Sequence, residues 1–148
     1  MLADLLKIER VQTGLRASGK EAALRTVASL LVAPERSMNE ESVYDVIVER
    51  ERLASTGVGS GVAIPHGRFA GTDHLRAAVA VYADGVDFDA VDGLPVRIFV
   101  GILGPPSLPQ KHLAVLAHVS RLLRQQNMRD AILSAASSDE AYRLLTEL

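Results

Sequence analysis

The sequence predicts an α/β domain, with a central mixed β-sheet flanked by helices on both faces. Three observations point there. Apolar residues recur at helical spacing near both ends of the chain, and three short apolar runs occupy its middle. One of those runs, residues 98–100, is apolar without alternation, as in a central strand covered on both faces. The length of 148 residues suits a single domain over 1–148. Hydrophobic residues make up 48% and charged residues 23%, which excludes a disordered or fibrous chain.

The elements follow in order. A weak strand is expected near residues 9–12. Ser18 and Glu21 form a capping box for a first helix, whose buried stripe is Leu24, Val27, Ala28 and Leu31. Pro34 closes it. A second helix starts near Asn39, where Glu40 and Glu41 suit the positive end of its dipole. Its stripe of Val43, Val46 and Ile47 continues to Arg50, which places an arginine on the inward face at a helix end. Residues 61–64, 77–82 and 96–103 read as strands. Asp84-Gly85 and Asp92-Gly93 are turn dipeptides, the second suited to closing a hairpin. A third helix carries His112, Val115, Leu116, Val119, Leu122 and Leu123 on one stripe. Asn127 is expected to cap a short helix, and Ser137 with Glu140 to box the last one, ending at Leu148.

Composition narrows the function. A net charge of −2 gives no electrostatic reason to expect nucleic acid or an anionic membrane surface. Zero cysteines exclude a disulfide framework, a thiolate zinc site, an iron–sulfur cluster and a cysteine nucleophile. The N-terminus has an acid at Asp4 and no signal-peptide apolar stretch. The longest apolar run, 77–83, is far short of the roughly 20 residues that cross a bilayer. A cytoplasmic protein without membrane insertion is expected.

The chemistry concentrates in residues 50–68. Gly57, Gly59 and Gly61 alternate in a loop that could turn backbone N–H groups toward an anion, although most such loops are simply turns. His66 lies between Pro65 and Gly67, which favours a presented ring with a lone pair available near neutral pH. His112 continues an apolar stripe and therefore faces inward; a core histidine bonded to a carbonyl would look the same. Arg50 could pack its stem and spend its head on helix-end carbonyls. Convergence of the three favours a site, since an arginine fork suits a phosphoryl group.

The run from Ser55 through Ala63-Ile64-Pro65-His66-Gly67 resembles the IIA domains of the bacterial phosphotransferase system, fructose/mannitol class, and most closely their nitrogen-regulatory branch. The likeness continues through residues 88–96, 112–116 and 20–31 and so spans nearly the whole chain. It implies a mixed sheet flanked by helices. It further implies that His66 is phosphorylated through Nε2, with Nδ1 held as N–H by a local acceptor. His112 would donate an N–H to the phosphoryl, Arg50 would stabilise its charge, and Thr56 and Gly57 would bind it as well. The donor would be the phosphohistidine of an HPr/NPr-type carrier, with no cofactor or metal, and the protein would be a phosphocarrier rather than a classical turnover enzyme. The partner downstream would be a regulated target protein or a separate IIB domain. IIB domains of this class use cysteine and IIC domains span membranes, so a standalone IIA is expected.

Two readings remain within this resemblance, a nitrogen-type regulator and a carrier feeding a fructose- or mannitol-type permease. A binding module without phosphorylation is the alternative of another class; intact Arg50, His66 and His112 speak against it. A metal site among His66, His74, His112 and His118 lacks close ligand spacing. A serine hydrolase at Ser55 or Ser60 lacks the nucleophile elbow.

Overall fold

The computed structural model describes residues 2–35 and 37–147. Its sheet has six strands: β1 (Val11–Gln12), β2 (Gly57–Gly59), β3 (Val62–Ala63), β4 (His66–Arg68), β5 (Arg76–Val86) and β6 (Val96–Gly104). Five helices accompany it: α1 (Lys20–Val32), α2 (Glu40–Leu53), α3 (Pro109–Leu123), α4 (Gln126–Ser134) and α5 (Ser138–Thr146). The expected mixed sheet is present. β1 runs parallel to β5, β5 antiparallel to β6, and β2 antiparallel to β3. On the other edge of β6, β3 and β4 lie end to end, both parallel to it.

Alternation along β5 and β6 builds two cores. Val79, Val81, Ile98, Val100 and Ile102 face α3, α4 and α5, packing with Val115, Val119, Ile132 and Leu145. Ala78, Ala80, Tyr82, Phe99 and Leu103 face α1 and α2, packing with Leu24, Val27, Leu31, Val43 and Ile47. Each β-strand residue in the middle of the sheet therefore meets a helix, which explains why residues 98–100 show no polar side. Two long-range cations fasten the end of α1. Buried Arg10 donates to the carbonyls of Ala77, Ala33 and Leu5, and buried Arg76 donates to that of Leu31.

Several local expectations need correction. The cap of α1 is Gly19 without a side-chain bond, so Ser18 does not cap it. Asn39 does cap α2, its Oδ1 accepting the Ser42 N–H at 2.9 Å. Asp84-Gly85 is not a turn. Gly85 sits inside β5 at φ +79°, where the register with β6 shifts between Val81 and Val86, a bulge that only a residue tolerant of positive φ accommodates cheaply. Asp92-Gly93 does lie in the β5–β6 connection, within a longer loop over residues 87–95. α4 begins at Gln126 after Gln125, so Asn127 lies inside it rather than capping it. Ser137 Oγ accepts the Glu140 N–H at 3.1 Å, but Glu140 reaches back to the Ala136 N–H instead of completing the box on Ser137. α5 stops at Thr146, and Leu148 lies outside the described residues.

The three-glycine segment is a β-hairpin. Gly59, Ser60 and Gly61 all take positive φ at its tip, and the Ser60 N–H is bound by the Asp92 carboxylate at 2.9 Å. An acid at the tip is the opposite of an anion cradle.

Candidate functional site

The site forms where β4 leaves the β6 ladder. Pro65 has no N–H, yet its carbonyl accepts the Ile102 N–H at 2.9 Å, so the chain stays on β6 while passing from β3 to β4. The Ile64 carbonyl accepts a hydrogen bond from His66 Nδ1 at 2.7 Å. A carbonyl can only accept, so Nδ1 carries the proton of the neutral ring and Nε2 keeps a lone pair. The ring is half-buried. Burial pushes its pKa below 6.5; the Ile64 bond acts the other way, and Arg50 lowers it further.

Helix α2 supplies one wall. Val46, Arg50 and Leu53 follow each other at turn spacing toward the cleft, while Val43 and Ile47 turn into the core. The close seating of this helix depends on Gly67. A Cβ there would stand 2.3 Å from Val46 Cγ1, so a side chain at position 67 would hold α2 away from β4. The motif glycine thus serves helix approach rather than room around the imidazole. Arg50 is half-buried, and one of its Nη atoms donates to the Ala54 carbonyl at 2.9 Å. The helix-end bond considered for Arg50 therefore exists, and it leaves the remaining guanidinium donors on the cleft side available.

Helix α3 supplies the other wall. His112 is 3% exposed, and its ring centroid lies 5.8 Å from that of His66 with the planes inclined at 56°. Burial, reinforced by His66 and Arg68, pushes its pKa down to about 4, so the ring is neutral near pH 7. Its Nδ1 is buried without a hydrogen-bond partner, close against Gly104. An N–H stranded there is costlier than a bare lone pair, which places the proton on Nε2 as a donor.

These side chains share one cleft of about 420 Å³. Glu49, Arg50, His66, Arg68 and His112 are its polar face; Val46, Leu53, Leu113 and Leu116 are its apolar walls. His74 and His118 lie elsewhere, His74 being exposed and bonded to Asp73. The structure does not bring Thr56 and Gly57 to the cleft. The Thr56 hydroxyl and N–H are both spent on the Glu51 carboxylate, and the Gly57 N–H is bound by Ser55 Oγ at 3.1 Å.

Glu51 and Arg68 are the residues that sequence reasoning passed over. Strand alternation was available for Arg68, two positions beyond His66 on the same strand. Nothing local marks Glu51, which is buried and pairs with Lys20 at 2.9 Å from a distant helix. Burial alone would raise its carboxyl, but hydrogen bonds from Thr56 and Lys20 outweigh burial and hold it below the usual carboxylate range. Glu51→Ala is expected to destabilise the fold by about 2–4 kcal/mol, because it strands Lys20 and two Thr56 donors. A midpoint in urea unchanged from the parent would contradict this anchoring role.

The model of the family described as "Phosphoenolpyruvate-dependent sugar phosphotransferase system, EIIA 2" matches residues 4–148. The chain belongs to this family. Within it, the chain is 30% identical over 147 residues to a nitrogen regulatory protein of Pseudomonas aeruginosa, covering 99% of this chain and 96% of that one. A fructose-specific EIIA component of Haloferax volcanii is 34% identical over 129 residues, covering 87% and 84%. The crystal structure of the nitrogen regulatory protein IIA-Ntr from Neisseria meningitidis superposes with a TM-score of 0.88 at 31% identity, over 97% of this chain and 98% of that one. The EIIA family and its nitrogen-regulatory likeness, expected from residues 55–67, are thereby met.

Proposed function

We propose that this EIIA protein is a phosphoryl carrier of the nitrogen-regulatory type, acting in the cytoplasm and taking its phosphoryl group on His66 Nε2 from a phosphohistidine of an HPr/NPr-type carrier. The observation that carries this reading is the Ile64–His66 bond at 2.7 Å, which presents an Nε2 lone pair to a cleft holding Arg50 and His112. The His66 lone pair forms the new N–P bond. The electron pair of the breaking N–P bond returns to the donor ring, which departs neutral when its second nitrogen is protonated. The positive charge lost by the donor appears on the His66 ring, where the Ile64 carbonyl stabilises it. Arg50 meets the transferring oxygens, and His112 Nε2–H donates to one of them. Neither a metal nor a cofactor enters these steps. Among the described residues no helix is long and apolar enough to cross a membrane.

Once His66 is modified, the cleft holds three phosphoryl oxygens sharing about −1.5 to −2 charges beside a cationic ring, enough to change which target protein binds there. The fructose-specific relative favours a second reading, delivery to a IIB cysteine. Incubation with a charged HPr-type carrier, followed by peptide mapping, is expected to place acid-labile label on His66. Onward transfer to a purified fructose-type IIB domain would select the second reading over the first.

A pH series tests the electrostatics. The His66 pKa lies below 6.5, so the neutral, accepting form of the ring, followed by its imidazole NMR signals, should stay level from pH 8 to about 6.5 and fall as pH drops through the lowered value. Stability follows His112 over a related window. The unfolded ring takes a proton near 6.5 and the folded ring only near 4, so its contribution is complete above 6.5 and lost between 6.5 and about 4. A His66 ring that takes its proton at or above pH 6.5 would contradict this lowering.

A further inference from the structure

Strand β4 has three residues, so alternation puts His66 and Arg68 on one face and turns Gly67 toward α2. Arg68 lines the same cleft as His66, Arg50 and His112. It is exposed, and among the described residues its guanidinium forms no hydrogen bond or ion pair. The nearby carboxylates are already committed. Glu49, which lines the cleft, pairs with Arg52, and Glu51 is buried against Thr56 and Lys20. The opening over His66 therefore holds two guanidinia against one carboxylate, that of Glu49, which Arg52 engages at the surface.

We propose that Arg68 is a second phosphoryl-binding cation, which closes on the phosphoryl group of His66 together with Arg50. This rests on the phosphocarrier reading above and extends it to a residue outside the expected set. A phosphoryl on nitrogen presents three acceptor oxygens that share about −1.5 to −2 charges, and Arg50, with one Nη already on the Ala54 carbonyl, can meet only part of them. The two arginines differ in readiness. Arg50 is pinned at Ala54 before the phosphoryl arrives, whereas Arg68 is unpinned and pays its ordering cost only when an anion is there to hold it. Arg68 thus acts on retention of the phosphoryl, and sets how far the group partitions onto this protein rather than back to its donor.

The test is that partition. Parent protein, Arg68→Gln and Arg68→Lys are each equilibrated with an HPr-type carrier charged by its phosphoenolpyruvate-driven kinase, which is then removed. The phosphorylated and free forms of both proteins are counted. Contacts made only in the docked complex cancel from this equilibrium, so it reads the phosphoryl environment alone. Arg68→Gln is expected to shift it about five- to tenfold toward the carrier, with Arg68→Lys between that and the parent. An unchanged partition with a labelled parent overturns the role of Arg68 and leaves the phosphocarrier reading standing. An unchanged partition with a raised KM for the carrier also overturns it, moving Arg68 to the docking rim. A parent that takes no label overturns both. Unchanged thermal unfolding of Arg68→Gln accompanies the expected result, since the side chain holds nothing in the unmodified fold.

Discussion

His66→Ala is expected to abolish acid-labile phosphorylation while leaving the fold nearly intact. The half-buried ring contributes one hydrogen bond, to the Ile64 carbonyl, and such a bond is worth about 1 kcal/mol. Thermal unfolding should therefore shift by only a few degrees. No neighbour can take over as nucleophile. His112 is 3% exposed, and its inward nitrogen packs against Gly104. With the neighbouring imidazole gone, the His112 pKa should rise from about 4, because His66 is one of the groups holding it down. Residual label on the folded variant would place the acceptor elsewhere and remove the basis of the proposed mechanism.

The second large effect is expected from a substitution of a single methyl group. Gly67→Ala would place a carbon 2.3 Å from Val46 Cγ1, deep inside van der Waals contact. Valine in a helix is stiff at χ1, so Val46 cannot swing aside without leaving its favoured rotamer. Helix α2 must move, or strain of about 1–3 kcal/mol must be absorbed. Arg50 lies one turn beyond Val46 and moves with it. Misplacing a catalytic group by about 1 Å can cost on the order of 100-fold in rate. Acceptance by Gly67→Ala should fall about 10- to 100-fold, and the added change Val46→Ala should restore most of it. Full activity in Gly67→Ala alone would show that the approach of α2 does not set the position of Arg50.

Helix patterns were legible because they are local. Asn39 and Ser137 cap the helices they were expected to cap, and the α3 stripe buries His112, Val115, Val119 and Leu123. The apolar run at 98–100 was equally plain, since a strand between two helical layers has no polar face to show. Dipeptide signals misled where tertiary pairing overrode them. Asp84-Gly85 has turn composition, yet β6 continues past it and absorbs the positive φ as a bulge. The glycines at 57, 59 and 61 suit a hairpin as well as an anion loop, and only the partner strand with Asp92 decides between them.

The site divides along the same line. Arg50, His66 and His112 were visible because each broke an apolar pattern or sat at an element boundary. The position of Thr56 was not legible, because its hydroxyl faces Glu51, a partner that becomes available only when the end of α2 folds against the loop. The acceptor for Nδ1 was invisible for another reason. It is a main-chain oxygen two residues away, and no side-chain identity announces it.

That oxygen also limits how the modified state can be imitated. His66→Asp or His66→Glu, surrogates for a permanently charged residue, would bring anionic oxygen toward a carbonyl that now receives an N–H. Both groups are acceptors, so the surrogate is repelled at its root and swings out of the alignment the imidazole enjoys. Studies of target binding should therefore use the genuine phosphorylated protein, freshly charged, in place of an acidic imitation.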